Sequence, residues 1–168
     1  SRMWRDIHAS IKEAGEKSWL DFLTASSVNP GGHGMGFVSE ATADGRRKGQ
    51  AFAIGNSPTA GYDRSGLTAL LNSLSKTDPV NGGAVSNIKI SREFFTEERP
   101  KLEALFGAFF ATGGMQANIC VVNKGDLEAA LKEPEKYTHV LVRLGGWTAR
   151  FVELDRKVQE EIIERTLY

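Results

Sequence analysis

The amino-acid sequence predicts an α/β protein. In its C-terminal half, apolar stretches of strand length alternate with amphipathic helices, and a pair of glycines interrupts the second stretch. The order is strand, helix, strand, glycine loop, helix. The chain has 168 residues, 40% hydrophobic and 25% charged, which is ordinary for one globular domain with a real core.

The N-terminal half contains two predicted helices separated by a long loop. The first covers residues 3–24, where Gly15 weakens the middle, and the second covers residues 66–76. Residues 28–66 between them are rich in glycine, and a structureless stretch of that length is unusual inside a compact domain. We therefore expect this loop to wrap over another body of protein or to be functional itself.

The C-terminal half begins with a short predicted strand at residues 85–90. Residues 100–111 then have apolar side chains at positions i, i+3, i+4, i+7 and i+8, which predicts a strongly buried helix. Pro100 suits its first turn, and Gly113 suits its C-terminal cap. Residues 117–122 predict a buried strand.

A short helix at residues 126–131 precedes the second apolar strand, at residues 139–144. After the glycine pair, residues 151–154 are expected to resume an extended chain. Asp155 can then cap a last helix, on which Glu161 can pair with Arg165 one turn later.

Composition narrows the classes of function. The net charge is zero, so there is no excess of basic residues to indicate nucleic acid as a partner. No apolar run has the length of a membrane span. The N-terminus lacks a signal-peptide pattern, and the single cysteine, Cys120, excludes an internal disulfide framework. Both features fit a cytoplasmic protein. The histidines His8, His33 and His139 lack metal-site spacing, so we expect no bound metal.

The pentapeptide Arg143-Leu144-Gly145-Gly146-Trp147 ends the second apolar strand. By itself it is typical of a turn in which two glycines supply unusual backbone angles and a tryptophan packs nearby. Upstream lie Ala43-Asp44-Gly45-Arg46-Arg47, whose charged side chains predict a solvated turn pair, and a segment over residues 57–69 with Ser57-Pro58, Gly61, Asp63, Gly66 and Thr68-Ala69.

These motifs, in this order, resemble the C-terminal region of glycyl radical enzymes of the pyruvate formate-lyase family. The family pattern is Arg-Val-x-Gly followed by an aromatic residue, and here Leu144 replaces the commoner valine while Trp147 replaces the commoner tyrosine. The upstream segments are similar to the family's Asp-Gly-Arg-Arg turn and its Ser-Pro…Gly-x-Asp-x-x-Gly-Pro-Thr-Ala segment, with Leu67 where proline is usual. Matches run from about residue 43 to residue 166.

The resemblance implies the C-terminal part of a ten-stranded α/β barrel that carries the glycine finger loop. It places the radical on Gly146, from which a separate iron–sulfur S-adenosylmethionine activase removes one α-hydrogen. A side chain would crowd the planar radical and its tight loop, so glycine is required. Oxygen attacks such a radical and cleaves the chain, and the apolar strands beside Gly146 suit a buried loop. Residues 1–42 would belong to the body of the barrel and residues 43–168 to the glycine-radical domain.

In the family, the stored radical generates a thiyl radical on a distant cysteine. That cysteine is expected outside this chain, because Cys120 lies in an apolar strand, where its side chain is expected to pack as a small apolar group. The implied chemistry is that of a lyase, dehydratase, decarboxylase or addition enzyme of anaerobic metabolism. The implied partners are the remainder of the barrel, the activase, a small-molecule substrate and further copies of the full enzyme, with neither nucleic acid nor membrane among them.

Three functions remain open. The resemblance implies either the radical-bearing portion of a larger enzyme or a stand-alone radical carrier that docks onto and repairs a larger lyase, and the third is an unrelated α/β binding domain. The supporting residues around Gly146 are Gly145, Arg143 and Trp147. Arg143 can order the loop or bond to backbone, and Trp147 is expected to pack in the core. Two amides, Gln116 and Asn118, can hydrogen-bond near the loop or serve a structural role. His33 is expected to be an exposed loop histidine.

Overall fold

A computed structural model describes residues 2–18, 32–77 and 85–168 of the chain. Helices and strands are mixed along these residues, which confirms the predicted α/β character. The elements are α1 Arg2–Glu16, α2 Gly32–Val38, α3 Leu67–Leu74, β1 Asn87–Ile90, α4 Arg92–Glu97, α5 Arg99–Ala111, β2 Asn118–Val121, α6 Lys124–Ala130, β3 Leu141–Leu144, β4 Trp147–Arg150 and α7 Arg156–Glu164.

The four strands form two pairs. Strands β1 and β2 are parallel, with Ile88 opposite Ile119, and helices α4 and α5 make the crossover between them. Strands β3 and β4 form an antiparallel hairpin. Strand β3 lies beside β2, so the hairpin is held against the parallel pair.

The first apolar core lies between the parallel pair and the helices α3 and α5. Its buried side chains are Leu67, Leu71, Ile88, Ile90, Leu102 and Phe109. Helix α4 begins at a predictable signal, because the Ser91 hydroxyl accepts a hydrogen bond of 3.1 Å from the backbone N–H of Phe94. Pro100 lies in the first turn of α5, and Gly113 follows its end with a φ of +106°.

The second core is formed by β3, α6 and α7. Its buried side chains are Val122, Leu127, Ala130, Val140, Val142, Leu144, Phe151 and Ile162. Phe151, which is fully buried, directly follows the hairpin. Its backbone N–H donates to the Val140 carbonyl at 2.9 Å, and its carbonyl accepts from the Gln159 amide at 2.8 Å. These contacts fix the base of the hairpin.

The C-terminal residues add an edge to the parallel pair. Leu167 bridges Lys89 in parallel, and the Tyr168 N–H donates to the Lys89 carbonyl at 3.1 Å. The hydroxyls of Thr166 and Tyr168 both donate to the Asp63 carboxylate. The segment around Asp63 is thereby tied to β1 through the end of the chain.

Several predicted elements hold and others were wrong. Helix α1 passes through Gly15 and ends at Glu16, while predicted helical residues 19–24 lie outside the described residues. The predicted loop at 28–66 contains helix α2, so it is not structureless. Helix α5 is not strongly buried, because only Leu102 and Phe109 among its side chains are buried.

The end of the chain was mispredicted at one place. Residues 151–154 are not extended: Phe151–Glu153 form a single 3-10 turn, and the strand that follows the glycines is β4. The last helix is as predicted. The Asp155 carboxylate accepts from the Lys157 N–H at 2.9 Å, and Arg165 pairs with Glu161 at 2.7 Å.

Arg46 is a structural centre of the loop, not half of a solvated turn pair. Its side chain is only 4% exposed, and its guanidinium donates to the carbonyls of Gly36, Glu40 and Gln50. It also lies 4.4 Å from the centre of the Phe52 ring. The neighbouring Asp44 instead accepts from the Thr42 hydroxyl, which lowers the pKa of that carboxyl group. One arginine therefore gathers the backbone of residues 36–52.

Lys89 is the second buried cation. Its ammonium donates to the carbonyls of Ile162 and Ile163 at 2.9 and 3.1 Å, in the last turn of α7. Burial, reinforced by the Arg165 guanidinium, lowers the pKa of Lys89 from 10.5 to about 8. This side chain connects β1 to α7 across the second core.

The pKa of Lys89 makes stability depend on pH. Between about pH 8 and 10.5 the unfolded chain keeps a proton that the folded chain has released, so the unfolding free energy rises with pH there. Lys89→Met removes the titrating group. The unfolding free energy of the wild type minus that of the variant, measured with urea, should rise by on the order of 2 kcal/mol across this pH window. A difference independent of pH would contradict the assignment.

Phe151 should dominate the stability of the hairpin base. We expect Phe151→Ala to lower the unfolding free energy by about 3–5 kcal/mol, because a buried aromatic ring leaves a cavity. Leu141→Ala is the matched control on the same hairpin; its side chain is 54% exposed, and the cost should be below about 1 kcal/mol. Equal costs in urea unfolding would show that Phe151 does not anchor the hairpin.

Candidate functional site

The glycine pair forms a two-residue hairpin turn. Leu144 of β3 pairs directly with Trp147 of β4, so Gly145 and Gly146 alone connect the strands. Their φ angles are +48° and +110°. Positive φ at both central residues is the requirement of a type I′ turn, whose twist matches that of the flanking strands.

Gly146 is the more demanding position of the two. Its φ of +110° lies beyond the small left-handed region that asparagine and aspartate tolerate, whereas the +48° of Gly145 lies at the edge of that region. A Cβ atom built on Gly146 would meet nothing within 4 Å. Among the described residues, the requirement for glycine is thus conformational, and the expected crowding of a side chain is not found.

The turn lies at the surface of the described chain. Gly146 is exposed, and the Trp147 side chain is 51% exposed. Contacts among the described residues therefore bury neither the loop nor the tryptophan, and burial within the complete barrel stays a prediction. Only the inward side of β3 is buried, through Val142 and Leu144.

Arg143 braces the hairpin across its two strands. It lies opposite Thr148 in the register, and its guanidinium donates to the Thr148 hydroxyl at 3.0 Å. Of the two alternatives left open by the sequence, this contact supports ordering of the loop by a side chain, not a bond to backbone. A cross-strand pair one residue from the turn helps to hold its register.

A series of amide side chains reaches the turn from the parallel strands. The Gly145 N–H donates to Asn87 Oδ1 at 3.3 Å, and Asn118 Nδ2 donates to the same oxygen at 3.3 Å. Gln116 Nε2 donates to Asn118 Oδ1 at 2.8 Å. The two amides singled out from the sequence are therefore connected to the turn through Asn87.

Asn87 was missed by sequence reasoning. It is the first residue of β1, and its side chain connects two segments 58 residues apart. The available signal was a polar residue that opens an otherwise buried strand, but nothing in the sequence shows what such a side chain contacts.

Cys120 lies in β2, opposite Lys89 in the register, and is partly buried against the second core. Burial raises the pKa of its thiol, so the thiol stays protonated at neutral pH. The environment is that of a small apolar side chain, in agreement with the interpretation from the sequence.

The described ranges contain no group of three or more histidine, cysteine, aspartate or glutamate side chains that could hold a metal ion. Within them, no helix is long and apolar enough to cross a bilayer. The side chain of His33 lies outside the part that the structure describes.

Comparison with known proteins identifies the family. The sequence profile described as Glycine radical matches residues 52–152. The chain is 35% identical over 158 residues to the 4-hydroxyphenylacetate decarboxylase glycyl radical subunit of Clostridium scatologenes, an alignment covering 92% of this chain and 17% of that protein. It is 33% identical to (2S)-3-sulfopropanediol dehydratase of Klebsiella oxytoca, over 79% of this chain and 17% of that protein.

Solved structures agree. A glycyl radical enzyme from Archaeoglobus fulgidus matches with a TM-score of 0.77 and 39% identity, over 84% of this chain and 19% of that one. The B12-independent glycerol dehydratase from Clostridium butyricum also matches with a TM-score of 0.77, at 36% identity and the same coverage. The chain spans less than a fifth of the length of these relatives. Because the family profile matches more than half of its residues, the chain belongs to the glycine radical family.

Proposed function

We propose that the chain is the radical-bearing C-terminal portion of a larger glycyl radical enzyme similar to pyruvate formate-lyase, with Gly146 as the radical site. One observation carries the proposal. Gly146 occupies the second position of a type I′ turn at φ +110°, within residues 52–152 that match the family. In this proposal residues 43–168 form the radical domain, and residues 1–42 belong to the body of the barrel.

The geometry of Gly146 suits removal of one hydrogen atom. One of its two α-hydrogens points where a Cβ would lie, and nothing stands within 4 Å of that position. Among the described residues, the Cα–H bond on that side is therefore uncovered. In the proposed step that bond breaks homolytically, and an S-adenosylmethionine-derived radical on the activase takes up the hydrogen atom. The chain supplies the orientation of the turn, from the cross-strand contact of Arg143 and the hydrogen bond at Gly145.

The cysteine that reacts with the substrate is proposed to lie outside this chain. Cys120 is in a strand, partly buried, with a raised thiol pKa, which supports a structural role. The remainder of the barrel would then supply that cysteine and the substrate pocket. Lyase, dehydratase, decarboxylase and addition chemistry all fit this division, and the similar proteins include a dehydratase and a decarboxylase subunit.

The extent of similarity supports an integral part of an enzyme over a stand-alone repair module. The match to the decarboxylase glycyl radical subunit covers 92% of the chain, well upstream of the turn. Contacts also tie the upstream segment to the C-terminal half, since Asp63 accepts hydrogen bonds from Thr166 and Tyr168. The upstream residues therefore form one structural unit with the hairpin.

Electron paramagnetic resonance tests the proposal directly. The complete enzyme that contains this chain is incubated without oxygen with its activase, S-adenosylmethionine and a reductant. We expect a doublet from coupling to the single remaining α-hydrogen, and no doublet from Gly146→Ala, which lacks the glycine.

Gly145→Asn is the matched control, because asparagine tolerates a φ near +48° and keeps the backbone N–H that bonds to Asn87. This variant should retain the doublet. Loss of the signal in Gly145→Asn with retention in Gly146→Ala would move the radical away from Gly146. If the wild-type enzyme gives no doublet with an activase that is shown to work on an authentic partner, the proposed radical function is wrong.

A further inference from the structure

We infer that Asn87 is a positioning residue for the glycine turn and that it acts through a relay of three amide side chains with a fixed direction of hydrogen bonding. The inference rests on the proposed function for its consequence, which is the placement of Gly146, but the relay itself is a property of the described residues. Its members are Gln116, Asn118 and Asn87.

Both ends of the relay are backbone N–H groups, which can only donate. At one end the Ser86 N–H donates to Gln116 Oε1 at 3.0 Å. At the other end the Gly145 N–H donates to Asn87 Oδ1 at 3.3 Å. Because neither end can reverse, each terminal amide must present its oxygen to the backbone.

The interior of the relay follows from these ends. With its oxygen on Ser86, Gln116 must offer its NH₂ group, and it donates to Asn118 Oδ1 at 2.8 Å. Asn118 in turn donates from Nδ2 to Asn87 Oδ1 at 3.3 Å. Rotating any one amide by half a turn would bring two donors or two acceptors face to face. The relay therefore has a single consistent polarity.

The relay is supported by the least exposed part of the parallel pair. Asn118 is 7% exposed and Ser86 3%, and the three residues after Asn87 in β1 are all buried. The Asn87 backbone N–H donates to the Ser57 hydroxyl at 2.8 Å, which fixes the start of the strand. In contrast, Gly146 in the turn is exposed among the described residues. Asn87 is thus the point where a rigid strand holds a surface turn.

The Gly145 N–H belongs to the peptide that joins Leu144 to Gly145, and only the φ and ψ of Gly145 separate that peptide from the one that leads to the Gly146 α-carbon. Holding this N–H therefore limits where the α-carbon of Gly146 can lie. The acceptor at Asn87 receives two hydrogen bonds at once, and loss of that oxygen leaves both donors unpaired. Removing it should release the turn without disturbing the core, because Asn87 itself is only partly buried.

Three substitutions separate this relay from a merely structural contact. Asn87→Leu keeps the number and branching of the side-chain heavy atoms and removes the acceptor. Asn87→Asp keeps an acceptor oxygen for both donors. Asn118→Asp replaces the donor that faces Asn87 with an acceptor, so two oxygens would meet. Asn123→Asp is the control, because Asn123 accepts from the Arg92 N–H at 3.4 Å and does not bond to the turn.

Two readouts are made on the complete enzyme that contains this chain. The first is amide hydrogen exchange at Gly145, by mass spectrometry with fragmentation, before activation. The second is the decay of the paramagnetic doublet after the activase is removed. We expect exchange and decay to be about tenfold faster in Asn87→Leu and Asn118→Asp, and within about twofold of wild type in Asn87→Asp and Asn123→Asp.

The two proposals fail in different ways. A wild-type enzyme without a doublet overturns the radical function, while the exchange measurement still decides the relay. Wild-type exchange and decay in Asn87→Leu would overturn the positioning role. If amide exchange at Gly145 and decay of the doublet have the same rates in Asn87→Asp as in Asn118→Asp, whether fast or slow, the fixed direction of the relay is overturned.

Discussion

The backbone of the Gly145–Gly146 turn is the constraint on which the described C-terminal half depends. The type I′ turn reverses the chain between the paired strands with positive φ at both central residues, and here glycine supplies both of them. The tight reversal makes Trp147–Arg150 the partner of Leu141–Leu144. It also returns the chain to the second core at Phe151, from which Asp155 and helix α7 follow.

Around this turn the molecule combines a rigid frame with an exposed tip. The frame is held by two buried cations that bind backbone carbonyls: Arg46 gathers residues 36–52, and Lys89 binds the end of α7. A buried charge is costly unless it is hydrogen-bonded, so both side chains restrain the segments that supply their partners. The tip carries Gly146, around whose α-carbon the described residues leave open space.

The sequence predicted the elements whose signals are local. The helical apolar spacing of residues 100–111, the cap at Asp155 and the Glu161–Arg165 pair all depend on neighbours within a few residues. The glycine motif was recognised from the identity of its residues and from the order of the motifs around it. These features need no knowledge of distant contacts.

The features that were missed depend on contacts between distant segments. Residues 151–154 were predicted as strand because an apolar run does not show that the hairpin has already closed. A turn-like Asp-Gly-Arg-Arg gives no sign that Arg46 is buried, and the exposure of Trp147 is not encoded in its hydrophobicity. Asn87 reaches a residue 58 positions away, and no spacing rule predicts that contact.

The most direct test of the central claim is to locate the chain break that oxygen causes. The complete enzyme that contains this chain is activated, exposed to air and analysed by intact-mass spectrometry beside a sample that was never activated. If Gly146 carries the radical, oxygen adds to its α-carbon and the chain breaks at the N–Cα bond of that residue. A C-terminal fragment in which the oxidised carbons of Gly146 precede Trp147 then appears only after activation. A break at another residue, or the same fragment without activation, would contradict the assignment of the radical to Gly146.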